Sequence, residues 1–247
     1  MDDAADEVWI TQSPGTRLSA SHVSSGVVGL IIVGCMVASG CHGNGRDRGQ
    51  SQNHGHEGLD DYIARQESPD RAKWQKPNEV LAALALKPGE RVADLACGPG
   101  YFTIPIARSV GPTGRVWAVD IEPRMLERAR EHADAARLTQ IDYVLAAADD
   151  PKLPPGRIDT IFIVNTYHHF DDRRAYVAKL RQALAPGGRI VVIDFVPKSR
   201  EERGFGPPLE MQLPRSAVDA DFAANGFTPA KVHEVLPEQY FVEYRLP

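Results

Sequence analysis

From position 77 onward, short apolar runs alternate with stretches whose apolar residues recur at helical spacing, and this alternation leaves few folds open. A helix is expected over 77–86, with Pro77 in its first turn, where a missing N–H costs nothing. Lys87-Pro88-Gly89 ends it. A strand is expected over 91–95, a helix over 101–110, and a turn at Gly111-Pro112-Thr113-Gly114. Further strands are expected over 116–120, 141–147, 158–165 and 189–196. Helices are expected over 123–138 and 173–184, the second broken by Pro186-Gly187-Gly188. Strands that alternate with helices pair in parallel through right-handed crossovers. Runs such as IFIV at 161–164 and IVVI at 190–193 suit strands covered on both faces. The end of the chain differs: a helix over 217–225 stops at Gly226, and strands over 230–236 and 240–244 flank Pro237-Glu238 as a hairpin. The expected fold is α/β, a seven-stranded, mostly parallel, doubly wound sheet with an antiparallel C-terminal hairpin.

The segment before this pattern has another character. Residues 26–38 form an apolar run of 13 residues, too short to span a bilayer and suited to the apolar region of a secretory signal peptide. Cys35 and Cys41 each follow small residues, which resembles a bacterial lipoprotein signal. Only Arg17 is basic upstream, and Asp2, Asp3, Asp6 and Glu7 are acidic, so a later translation start is expected. Residues 42–58 hold no apolar side chain and read as a flexible tether, His42, His54 and His56 included. The expected organisation is a leader over 1–41, a tether over 42–58 and one folded domain over 59–247. The domain is expected to be exported and tethered to a membrane through a lipidated Cys41 or Cys35, or cytoplasmic if the leader does not function.

Composition narrows the partners. The net charge is −5 with no basic block, which argues against a broad nucleic-acid surface. Of three cysteines only Cys97 falls in the folded region, so neither a disulfide framework nor a paired-cysteine zinc site is expected there.

The run that carries chemistry is Val92-Ala93-Asp94-Leu95-Ala96-Cys97-Gly98-Pro99-Gly100-Tyr101-Phe102-Thr103. A strand ends in a carboxylate, a small-residue loop follows, and a helix opens. Small residues let a ligand approach the backbone, and the helix start offers unpaired N–H groups. A dinucleotide fingerprint needs a third glycine where Thr103 stands, and no phosphate-binding P-loop is present. Asp120 closes the second strand, 20 residues after Gly100, where a carboxylate can accept hydrogen bonds from two ribose hydroxyls. The alternative for Asp120 is a cap on the helix that starts at Pro123. After the third strand comes Ala147-Ala148-Asp149-Asp150, and the fourth ends in Asn165-Thr166-Tyr167-His168-His169.

This order of motifs, from Trp74-Gln75-Lys76-Pro77 to Phe195, resembles class I S-adenosylmethionine-dependent methyltransferases. It is similar in particular to those near the ubiquinone and menaquinone C-methyltransferases, in a bacterial form with a leader peptide. Ala96 stands where the family has its first glycine, a replacement that is tolerated if the residue needs no positive φ. The resemblance implies S-adenosylmethionine as cofactor, held by Asp94, Ala96, Gly98, Gly100, Tyr101, Asp120, Ile121, Asp149 and Asn165. Asp149 takes the adenine amino group in that reading, with Asp150 or the Ala148 backbone as rivals. Tyr167 would shape the methyl-donor pocket, and His168 or His169 would act as general base. No metal is implied. Trp74 and Lys76 either cover the cofactor's methionine end or pack a helix. The segment 198–215, with Gly204-Phe205-Gly206-Pro207-Pro208 as a lid and Glu210 and Met211 in its lining, is the expected cap over a small-molecule methyl acceptor. Two other readings stay open: an NAD(P)-dependent oxidoreductase, and a lipid-anchored module that binds the cofactor without catalysis.

Overall fold

The computed structural model describes residues 58–247. The expected leader, both of its cysteines and all of the tether but Gly58 lie outside the described residues. Five strands form the parallel part of the sheet: β1 (Arg91–Leu95), β2 (Arg115–Asp120), β3 (Ile141–Leu145), β4 (Ile158–Val164) and β5 (Leu184–Phe195). Two more, β6 (Thr228–His233) and β7 (Gln239–Arg245), complete it. The order across the sheet is β3-β2-β1-β4-β5-β7-β6. β7 pairs antiparallel with both β5 and β6. The fold is therefore the expected Rossmann-like sheet, with β7 alone reversed. The order turns back between β1 and β4, and ligands of such sheets sit beyond the strand ends at that switch point.

Helices cover both faces. The longer ones are α1 (Leu59–Gln66), α3 (Pro77–Leu84), α4 (Thr103–Val110), α5 (Pro123–Ala135), α6 (Arg173–Ala183) and α8 (Arg215–Ala223). Two are short, α2 (Arg71–Gln75) and α7 (Arg200–Arg203). Successive strand residues feed opposite cores, as the pleat requires. Val92, Phe162 and Val191 join Val80, Ile106 and Val110 on one face. Ala93, Ile161 and Ile190 join Val177, Leu180, Val218 and Phe222 on the other.

Most expected elements appear within about two or three residues of their expected ends, and three features differ. α1 and α2 were not foreseen. α1 buries none of its residues fully, and its apolar stripe is short, Leu59, Tyr62 and Ile63. Ion pairs at its two ends add to that contact, Asp60 with Arg124 and Glu67 with Arg128. β5 starts at Leu184 and includes the Pro-Gly-Gly that was expected only to break a helix. A register shift between Ile158 and Thr160, opposite Leu184 and Arg189, absorbs the extra residues. Gly187, at φ 77, turns the chain there. β6 ends three residues early, at His233.

Candidate cofactor site

β1 delivers Asp94 to the switch point, where its side chain is buried. Thr103, the first residue of α4, donates its hydroxyl to Asp94 Oδ2 at 2.6 Å. The carboxylate thus ties the strand end to the helix start across the loop between them. Burial pushes the Asp94 carboxyl up to about 7, against the opposing pull of the Thr103 bond and of Arg71. A raised folded value means that the protonated form is favoured in the folded state. The contribution of Asp94 to stability is therefore complete below about pH 4 and falls as pH rises toward about 7. Asp94→Asn should raise the melting temperature of the ligand-free protein at pH 8 more than at pH 5. An equal change at both pH values would contradict the buried-carboxyl account.

The loop takes a left-handed conformation at every second residue: φ is 57 at Ala96, 55 at Gly98 and 91 at Gly100. The condition under which alanine replaces the family's glycine freely, no need of a positive φ, is therefore not met at Ala96. Alanine is strained there and is held by its neighbours, since Cys97 N donates to Val119 O at 3.0 Å and pins the loop to β2. At Gly100 an added Cβ would lie 3.2 Å from Ala129 Cβ on α5. At Gly98 an added Cβ would meet nothing within 4 Å, so this stretch of backbone faces open space.

Asp120, at the end of β2, is also buried. Its Oδ2 accepts from Gly98 N at 2.8 Å and its Oδ1 from Glu122 N at 3.0 Å. It therefore braces the glycine loop as well as the start of α5. Burial raises its carboxyl above the usual range, while the backbone donors pull the other way. Each oxygen keeps further acceptor capacity. Ile121, the next residue, leaves 55% of its surface exposed, an apolar platform beside the carboxylate.

The N-terminal helices close over this end of the sheet. Arg71 on α2 lies with Cζ 4.0 Å from the centre of the Tyr101 ring. Burial pushes its guanidinium down to about 10, while the negative field of Asp94 supports it. Tyr62 on α1 feels the charge of Asp120, which together with burial raises its phenol. Trp74 packs on Phe195 and Phe205, with ring centres 5.8 and 4.9 Å apart, so it joins the N-terminal segment to the expected lid. Lys76 serves as a left-handed hinge, φ 43, between α2 and α3. The lid segment is itself fastened, since Lys198 and Arg203 both pair with Glu238, at 2.8 and 3.3 Å. Glu210 is exposed and Met211 half-buried.

At the end of β4, Asn165 has φ 56 and its side chain is tied to two glutamines, Gln75 and Gln239. His168 follows in a short 3-10 turn with its side chain 3% exposed. Its Nδ1 lies 2.9 Å from both oxygens of Asp194 on β5, and its backbone N–H donates to the same carboxylate. A carboxylate so placed assigns the ring proton to Nδ1 and leaves Nε2 as the acceptor nitrogen. The His169 ring lies tilted against it, with ring centres 4.2 Å apart.

Two expected site residues lie elsewhere. Tyr167 is fully buried in the α6–α8 core, against Phe170 and Phe222, with its hydroxyl 3.4 Å from Asp221. In this position it packs the core between α6 and α8. The Asp149 side chain is 89% exposed and pairs with Lys179 at 3.8 Å, so it is not directed at a buried ring. Asp150 is engaged with Lys152 N at 3.0 Å. Arg71, Gln75, Gln239 and Asp194 were not foreseen. Gln75 stood inside the quoted Trp74-Gln75-Lys76-Pro77 segment and Asp194 inside the expected strand over 189–196, neither with a role.

Known proteins match this chain over the same region. Residues 92–188 match the family model described as a methyltransferase domain. An uncharacterised 37.1 kDa protein in a transposon of Streptomyces fradiae is 30% identical over 187 residues, covering 68% of this chain and 53% of that protein. The ubiquinone/menaquinone biosynthesis C-methyltransferase of Shewanella halifaxensis is 34% identical over 117 residues, 47% of each chain. The chain thus spans about half the length of the curated relatives it matches. Among solved structures, a SAM dependent methyltransferase from Aquifex aeolicus superposes with TM-score 0.69 at 24% identity, over 74% of this chain and 96% of that one. Residues 92–188 are thus similar to a methyltransferase domain, and the sheet that holds them has the Rossmann-like fold of the solved neighbour.

Proposed function

We propose that this domain binds S-adenosylmethionine at the switch point and transfers its methyl group to a small molecule. The observation that carries the reading is the pairing of Asp120 with the glycine loop. A buried carboxylate with acceptor capacity left over stands between the open backbone of Gly98 and the exposed Ile121. These residues fit a nucleoside: Asp120 accepts from the ribose hydroxyls, Ile121 packs on the adenine, and Gly98 admits the sugar. Asp149 would reach the adenine amino group only by leaving Lys179. Arg71 and Asp94 stand near Tyr101 at the other end, suited to a zwitterionic methionine moiety. The cofactor supplies an electrophilic methyl on a good leaving group. The chain's task is alignment of the acceptor, exclusion of water and removal of its proton.

We assign that last step to His168. With Nδ1–H held by Asp194, Nε2 takes the acceptor's proton. The acceptor is then one that must lose a proton, a hydroxyl or an acidic carbon. Relatives named as quinone-biosynthesis C-methyltransferases are consistent with an acidic carbon. His168→Gln is expected to lower turnover by about 10²–10⁴-fold with cofactor affinity kept. Turnover within threefold of wild type would remove His168 from the chemistry.

The oxidoreductase reading is not favoured, because the family match is to methyltransferases and Thr103 replaces the third glycine. A thermal-shift series tests the choice. S-adenosylmethionine and S-adenosylhomocysteine should raise the melting temperature, and NAD and NADP should leave it unchanged. The reverse pattern would overturn the proposal. Anchoring through Cys41 or Cys35 is a separate proposal from the sequence alone. Metabolic labelling with palmitate tests it, and an unlabelled chain of full mass would defeat it.

A further inference from the structure

Three carboxamides from distant parts of the chain close a ring. Gln75 Nε2 on α2 donates to Gln239 Oε1 on β7 at 2.8 Å. Gln239 Nε2 donates to Asn165 Oδ1. Asn165 Nδ2 donates to Gln75 Oε1 at 2.8 Å, and the circle is complete. Gln75 and Gln239 are buried, 0% and 3% exposed, while Asn165 keeps one side open. Each amide donates once and accepts once in the same sense around the ring, so none can flip without breaking two bonds. Buried amides are costly to leave unpaired, which makes such a ring close as a unit.

The ring stands where the site needs rigidity. Asn165 ends β4 with φ 56, and its backbone N–H is already spent on Ile193 O at 2.9 Å. Its side chain and its backbone carbonyl are the polar groups it has left to present. In the ring that amide keeps one N–H and one acceptor lone pair, in an orientation fixed by its two partners. Gln75 belongs to the short helix that also carries Arg71 and Trp74, so closure of that helix over the site and the orientation of Asn165 are one event.

We propose that Gln75 and Gln239 are positioning residues, which lock the Asn165 amide so that it hydrogen-bonds the methionine end of the cofactor. The proposal rests on the methyltransferase reading. Gln75 and Gln239 touch no substrate; they act through Asn165.

The test is calorimetric binding of S-adenosylhomocysteine to the full chain and to Gln75→Leu, Gln239→Leu and the double variant. Each single variant is expected to weaken binding on the order of tenfold. The double variant is expected to weaken it by the same tenfold rather than a hundredfold, because one broken link already frees Asn165. Unchanged affinity in folded variants, whatever their stability, would overturn the proposal, and so would losses that multiply. A wild-type chain that does not bind would instead overturn the methyltransferase reading, and this proposal with it. A measurement on the wild type alone covers the case of variants that do not fold. The Asn165 side-chain amide, labelled with ¹⁵N and assigned by Asn165→Asp, should shift on saturation with S-adenosylhomocysteine. A resonance that does not move would exclude the contact.

Discussion

Replacement of Arg189 by methionine is expected to destabilise the domain by about 3–5 kcal/mol, the scale for a buried charge stripped of its partner. Arg189 projects from β5 into a polar cluster inside the fold, with its side chain 11% exposed. All its nitrogens are used: Nε donates to Thr160 Oγ1 at 2.9 Å, Nη1 to Glu243 Oε2 at 2.9 Å, and Nη2 to Leu84 O at 2.6 Å. Glu90 lies 3.7 Å away and is itself bonded to Thr160. Methionine fills most of the volume and satisfies none of these groups. It leaves Glu243 with His233, 2.7 Å away, and Glu90 with the Thr160 hydroxyl and the Lys87 N–H, and neither carboxylate with a guanidinium. Lysine keeps the charge but not the planar fork, so Arg189→Lys should fall between.

The pH dependence has a definite sign. Burial raises the Glu243 carboxyl, but His233 and Arg189 together outweigh it and hold the group below its usual value. A depressed folded value gives stability that is present above the unfolded value and lost as pH falls through the folded one. The gap between wild type and Arg189→Met should therefore narrow in acid. Chemical denaturation at pH 7 and pH 4 measures both effects. A loss below about 1 kcal/mol at pH 7 would show that the cluster is wet and loosely paired.

The second large effect belongs to the site. Asp120→Ala is expected to weaken S-adenosylhomocysteine binding by about 1.5–3 kcal/mol, on the order of 10- to 150-fold. Two losses combine. The ribose hydroxyls lose their acceptor, and the Gly98 and Glu122 N–H groups lose theirs, so the loop loses its brace. Asp120→Asn keeps acceptance on one oxygen and should cost less. Calorimetry on variants shown to be folded separates these cases. Unchanged affinity for Asp120→Ala would remove this carboxylate from the cofactor site and leave it as a helix cap.

What the sequence revealed and what it hid follow from the range of the forces involved. β1, β2, β4 and the core of β5 were legible because strands covered on both faces must be apolar throughout. The Asp94 loop and Asp120 were legible because small residues after a strand-end carboxylate have few other uses. Tyr167 drew notice because an aromatic residue beside two histidines suggests a pocket. The 3-10 turn over Tyr167–His169 instead sends it into the α6–α8 core. Asp149 misled because β3 ends at Leu145, two residues earlier than expected, and the longer loop carries the carboxylate out to Lys179. The φ of Ala96 stayed open because a small side chain says nothing about it. Asp194, Gln75 and Gln239 were invisible because their partners lie 26 to 164 positions away, and no local pattern records such a bond.

The cofactor assignment is most directly tested by calorimetric titration of the wild-type chain with S-adenosylmethionine and S-adenosylhomocysteine. The account predicts one site that binds both in the micromolar range, about 8 kcal/mol of binding free energy. A folded chain that takes up neither would contradict it.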